Sequence, residues 1–171
     1  RDRVVQPLQR FVDVAAAAGV RGPDASFPTW FWDFDQDGAL DLFVGNYDTG
    51  VGHLASHLLG GALPFERARL YRGDGKGGFH DVAAELGFTW PAMPMGCNFG
   101  DLDNDGWLDM YLGTGDPQFA SLMPNLMFRN DGGRRLQSVT MAGGFGHLQK
   151  GHGVAFADLD GDGDQDVFEV L

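Results

Sequence analysis

An aspartate pattern occurs three times in this 171-residue chain: DFDQDGALD at 33–41, DLDNDGWLD at 101–109 and DLDGDGDQD at 158–166. Each copy has Asp at positions 1, 3, 5 and 9 and Gly at position 6. Carboxylates this close repel one another in water and cost more if buried bare. Either a cation gathers them or the stretches are disordered acidic runs. Disorder does not hold one register through three copies, nor flank it with Leu, Phe and Val. Those positions carry 12 of the 24 acidic residues and much of the formal charge of −12.

The spacing suits a hard cation. Calcium takes about six to eight oxygens, which a short loop supplies from alternate side chains and a backbone carbonyl. The first site is expected to use Asp33, Asp35 and Asp37, the Ala39 carbonyl and Asp41, with Gly38 allowing the sharp turn. The second would use Asp101, Asp103, Asp105, the Trp107 carbonyl and Asp109. The third would use Asp158, Asp160, Asp162, the Asp164 carbonyl and Asp166. Three calcium ions are therefore expected. Magnesium fits less well, because it keeps several of its waters and seldom enters an all-protein cage.

An EF-hand is the obvious alternative, and the third loop even has Glu169 at position 12. Position 12 is Val44 in the first copy and Leu112 in the second, however. An EF-hand also needs helices on both sides. Here LDLFVG, LDMYLG and QDVFEV follow the loops, and PTWFW, MGCNF and GVAF precede them. All are short, apolar and rich in β-branched or aromatic residues, as strands are. Each loop should join strand to strand, leaving Glu169 as a strand residue. A dockerin-like calcium module is a third possibility; it would need helices after each loop and a repeat of about 22 residues, and a circular dichroism spectrum dominated by β signal would exclude it.

Repetition extends beyond the loops. Phe11, Phe79 and Leu136 open RFVDVAAAAGV, GFHDVAAELGF and RLQSVTMAGGF or stand beside their start, and each precedes its first loop aspartate by 22 residues. Gly19, Gly87 and Gly144 share a place in these segments. The period is 68 residues, then 57; the difference of 11 lies between Val44 and Leu70. About four short strands per unit, apolar on both faces, predict an all-β chain of β-propeller blades. The chain reads as one propeller segment over 1–171, with units at about 11–78, 79–135 and 136–171, the last incomplete. Three blades cannot close a ring of four to eight, so the rest of the propeller is expected from the same longer chain.

The D-x-D-x-D-G-x-x-D loops, the LYRGDGKGGFHDVAAELGF segment and GHGVAFADLDGDGD resemble FG-GAP/VCBS repeats of integrin-α-type β-propellers. The likeness is nearest to the cartilage acidic protein group, whose propellers are often followed by an ASPIC/UnbV domain. The resemblance covers essentially the whole chain. It implies seven or eight blades with calcium in the blade hairpins. It also implies an extracellular setting, secreted or at the cell surface, or periplasmic in a bacterium. The first unit departs from the pattern, with VVQPLQR where LYRN-GDG would stand.

Other features point to less. Arg72-Gly73-Asp74 is a tripeptide that some integrins recognise, but Arg129-Asn130-Asp131 in the next unit makes it a hairpin turn. Gly73, Gly75 and Gly78 fit G-x-G-x-x-G without the βαβ unit that gives this motif meaning. His53 and His57 lack the Glu of H-E-x-x-H, and His152 reads as packing. The single cysteine, Cys97, cannot form an intrachain disulfide and is expected to be buried. Twelve scattered basic residues in an acidic chain exclude a nucleic-acid site, and no apolar run is long enough to insert into a membrane. The expected role is a rigid, calcium-bound scaffold that binds an extracellular protein or glycan. The alternative is part of a lyase or hydrolase, for which only scattered Asp48, Glu66 and Asp116 and the lone histidines are on offer.

Overall fold

The computed structural model describes residues 10–47, 51–61, 66–115 and 123–171. Residues 4–9 of the VVQPLQR run, Asp48 and Asp116 lie outside these. Strands β1 (Ser26–Trp32), β2 (Asp41–Asn46), β3 (Arg69–Gly73) and β4 (Phe79–Asp81) form an antiparallel sheet in the order β1-β2-β3-β4. Strands β5 (Pro94–Gly100), β6 (Asp109–Thr114), β7 (Leu126–Asn130) and β8 (Leu136–Ser138) repeat it. β9 (Gly153–Ala157) and β10 (Asp166–Val170) pair as a third, two-stranded sheet. The chain is nearly all β, and its sheets are blades of a β-propeller type.

Strand register explains the strict loop spacing. Trp32 pairs with Asp41, Gly100 with Asp109 and Ala157 with Asp166. Position 9 of every loop is thus already a strand residue, paired across the ladder with the residue just before position 1. An added or deleted loop residue would move Asp41 to the other face of β2.

The sheets pack face to face through apolar side chains. Trp32 stacks on Phe99 at 3.7 Å between ring centres, and Phe88 meets both Phe43 and Phe128 edge-on. Val82, Ala83, Leu86 and Phe88 come from the repeated segment after β4 and belong to the core shared by the first two sheets. That segment turns at a glycine: Gly19, Gly87 and Gly144 have φ of 81°, 77° and 74°. In this left-handed region a side chain would strain the backbone. Cys97 is buried in the same core.

Two results differ from the sequence expectation. Phe79 and Leu136, placed at the heads of units, lie in the outermost strands of the preceding sheets: β4 pairs with β3 and β8 with β7. The expanded connection also contains a helix, α2 (Val51–Leu58), besides the single-turn α1 (Ala15–Ala18). The β2–β3 connection takes residues 47–68 and the β6–β7 connection takes 115–125. The excess in the first repeat therefore falls wholly in one connection.

Candidate metal centre

Each acidic loop is first a set of backbone hydrogen bonds. Position 1 takes amides from positions 5 and 6. Asp33 accepts from Asp37 N (3.1 Å) and Gly38 N (3.0 Å), and Asp101 from Asp105 N (3.0 Å) and Gly106 N (2.9 Å). Asp158 accepts from Gly161 N, Asp162 N and Gly163 N. Position 5 takes the amide of position 7: Ala39 N donates to Asp37, Trp107 N to Asp105 and Asp164 N to Asp162. The turn needs a left-handed residue at position 6, where Gly38, Gly106 and Gly163 have φ of 87°, 90° and 99°.

Carboxylate oxygens of Asp33, Asp35 and Asp37 lie within 4.8 Å of one another. Positions 1, 3 and 9 converge instead in the other two loops, as Asp101, Asp103, Asp109 and as Asp158, Asp160, Asp166. The structure thus brings together part of each expected set. Asp41, Asp105 and Asp162 are not members of these close groups. Ala39, Trp107 and Asp164 are placed as the turn residues that follow position 5. Glu169 lies in β10, apart from the third loop's group. Its carboxylate accepts from Asn125 Nδ2 at 2.7 Å, from Tyr111 Oη at 3.4 Å and from Gln149 Nε2.

Position 9 has a role that spacing did not reveal. Asp41 and Asp109 are fully buried. Asp41 accepts from Phe34 N and Gly73 N, both at 2.9 Å. Asp109 accepts from Leu102 N at 2.9 Å and Asn130 N at 2.8 Å. Each buckles the loop start to the third strand of its sheet. Burial pushes both carboxyls up to about 6, against the opposing pull of those backbone donors.

These two carboxyls give the metal-free protein a pH dependence of definite sign. Unfolded Asp titrates near 3.9, so between about pH 4 and 6 the folded chain holds protons that the unfolded chain has lost. The stability contributed by Asp41 and Asp109 is then complete below about pH 4 and disappears as pH rises through about 6. In chelator, melting at about pH 5 should be no earlier than at about pH 7.5. A steep loss of stability on acidification from about pH 7.5 to about pH 5 in chelator would contradict the assignment.

Position 3 carries an arginine partner in both complete sheets. Arg72 Nε donates to Asp35 Oδ2 at 2.7 Å, and its guanidinium lies 5.3 Å from the Phe34 ring centre. Arg129 Nη1 approaches Asp103 Oδ2 at 3.4 Å. The sequence signal was present, an Arg at the same place in LYRGD and MFRND, but it is separated from its partner by a whole hairpin. The same contact engages one residue of the Arg72-Gly73-Asp74 tripeptide, which ends β3 and enters the β3–β4 turn as expected. Arg72 is turned onto the loop, while Asp74 accepts the amides of Lys76 and Gly78, which hold its carboxyl below the usual range.

Asp35 Oδ1 bears most directly on a metal. It is buried and takes no hydrogen bond among the described residues. A buried carboxylate oxygen without a partner costs about 1–3 kcal/mol or more. It stands within an all-oxygen group of three carboxylates, a donor set that fits a hard cation.

Two of the residues considered for catalysis have structural partners. Glu66 accepts from Asp24 N and pairs with Arg69. His57 packs edge-on against Trp90.

A family model described as an FG-GAP-like repeat matches residues 33–112 and 113–169. The comparison with curated proteins gives no match.

Proposed function

The chain belongs to the FG-GAP-like repeat family, and from that premise we propose a calcium-binding β-propeller module that serves as a rigid scaffold for an extracellular protein or glycan partner. Its setting is secreted, cell-surface or periplasmic. Its role is binding rather than catalysis. The ligands are the carboxylates at positions 1, 3, 5 and 9 and the carbonyl at position 7. The cation supplies charge compensation that lets four carboxylates share one hairpin, and three ions would halve the formal charge of −12.

Support comes chiefly from Asp35 Oδ1, buried without a partner inside a carboxylate group. The recurrence of the same loop on all three sheets adds to it. No helix among the described residues is long and apolar enough to cross a membrane.

Titration calorimetry tests the reading. The expected result is three calcium ions bound with affinities on the order of 10⁻⁴–10⁻³ M, as in extracellular modules, and weaker binding of magnesium. Asp105→Ala should remove the second site and loosen 101–112 while the other two sites persist. Undiminished binding of three ions by that variant would show that position 5 is no ligand. An absence of calcium binding in the parent would remove the proposal.

A further inference from the structure

The three acidic loops are tied to one another, and the ties run from each loop to the next. Gln36, at position 4 of the first loop, donates from Nε2 to the carbonyl of Gly106, position 6 of the second, at 2.6 Å. Asn104, at position 4 of the second, donates from Nδ2 to the carbonyl of Gly163, position 6 of the third, at 3.3 Å. Both donors have the left-handed backbone, with φ of 56°. Holding a non-glycine residue there has a cost, and the side-chain contact across the sheets is the visible return.

A second tie joins the first two loops from beneath. Asn130 is fully buried at the end of β7. Its Nδ2 donates to the Phe34 carbonyl of the first loop at 2.8 Å and to the Leu108 carbonyl of the second at 3.2 Å. Its own amide donates to Asp109, and its Oδ1 accepts from Gly133 N at 2.9 Å. The turn carrying Gly133 lies so close to the first loop that a Cβ there would come within 2.7 Å of Asp35. Phe34 and Gln36 lie between the position-1, -3 and -5 aspartates of one loop. Gly106 and Leu108 flank Trp107 in the other.

We propose that Gln36 and Asn130 are positioning residues that couple cation binding in the first two loops, and that Asn104 extends the coupling to the third. The inference rests on the calcium reading above. A cation that gathers positions 1, 3 and 5 fixes the backbone between them. That fixes where Gln36 holds its amide and where the Phe34 carbonyl points, and so part of the second loop is ordered before its own ion arrives. The ordering cost of the second event is reduced, and the effect is reciprocal by linkage. At the net worth of one or two hydrogen bonds, each loop should change its neighbour's calcium affinity about three- to tenfold.

Loop-resolved calcium titrations followed by NMR test this. The amides of Gly38, Gly106 and Gly163 each donate to the position-1 carboxylate of their own loop, so each reports its own site. With the first loop disabled by Asp37→Ala, calcium affinity read at Gly106 should fall about three- to tenfold. With Gln36→Gly, which suits the left-handed backbone and copies Gly161 of the third loop, disabling the first loop should have a clearly smaller effect at Gly106. Gln36→Met keeps the side-chain length without the donor and should behave the same, which separates lost coupling from an altered backbone. Unchanged affinity at Gly106 in Asp37→Ala, or an undiminished effect in both Gln36 variants, overturns the coupling alone. Failure of the parent to bind calcium at any loop overturns the calcium reading and the coupling together.

Discussion

Removing calcium with a chelator is expected to lower the melting temperature of the protein by about 8–16 °C. Twelve carboxylates sit at positions 1, 3, 5 and 9 of the three loops, and without a cation their mutual repulsion opposes closure of each hairpin. The unfolded chain lacks preformed loops and binds little calcium, so stability rises by RT ln(1 + [Ca]/Kd) per site. At about ten times Kd this is roughly 1.4 kcal/mol per site, or about 4 kcal/mol for three independent sites. A domain of this length loses about 2–4 °C per kcal/mol, and 4 kcal/mol is a large part of a typical margin of about 5–15 kcal/mol. Sodium chloride, which only screens, should restore little of it. Acid in the presence of calcium should act like chelator, because protons compete for the ligands. Equal melting temperatures in chelator and in millimolar calcium would show that the aspartates at 33–41 and its repeats hold no structural ion.

Asp109→Ala is expected to destabilise the protein by roughly 3 kcal/mol even in chelator, an effect of about 6–12 °C. The substitution strips the acceptor from Leu102 N and Asn130 N, both bonded to a fully buried carboxylate. The buried Asn130 donor left without a partner would cost about 1–3 kcal/mol, and the part-buried Leu102 donor adds to it. Relief of a buried charge whose pKa has been pushed up to about 6 offsets part of that. Asp109→Asn, with one accepting oxygen, should fall between the two. Asp105→Ala provides the contrast: it loses only the exposed bond from Trp107 N in chelator, so most of its cost should appear when calcium is present. Thermal melts of the three variants with and without calcium separate a structural buckle from a metal ligand. An Asp109→Ala protein that melts with the parent in chelator would refute the buckle.

Local features of the chain were legible and distant ones were not. The hairpins could be read because Asp spacing, strand alternation and turn glycines all act within about ten residues. Glu169 could be assigned to a strand for the same reason. Sheet membership of Phe79 and Leu136 was not legible, because a repeat alignment has no origin and any phase fits it equally well. α2 lies in a connection whose Gly and His residues favour helix weakly. The contacts of Asp41 with Gly73, Arg72 with Asp35 and Asn130 with Phe34 span 32, 37 and 96 residues. Nothing in local spacing encodes them; they depend on which sheet faces lie together.

Antiparallel strands send alternate connections to opposite rims of each sheet. At the acidic rim the lengths repeat: residues 33–40, 101–108 and 158–165 join the first two strands of each sheet, and 74–78 and 131–135 join the third and fourth. At the other rim they do not repeat, with 47–68 against 115–125 within sheets and 82–93 against 139–152 between them. One rim therefore keeps constant loop lengths, while the other accommodates connections of different length, one of them containing a helix. New specificity can be acquired there by lengthening a connection, without disturbing the hairpins that keep the blades rigid. A designer grafting a recognition segment onto this scaffold would place it between β2 and β3 or between β6 and β7, and would leave 33–41, 101–109 and 158–166 untouched.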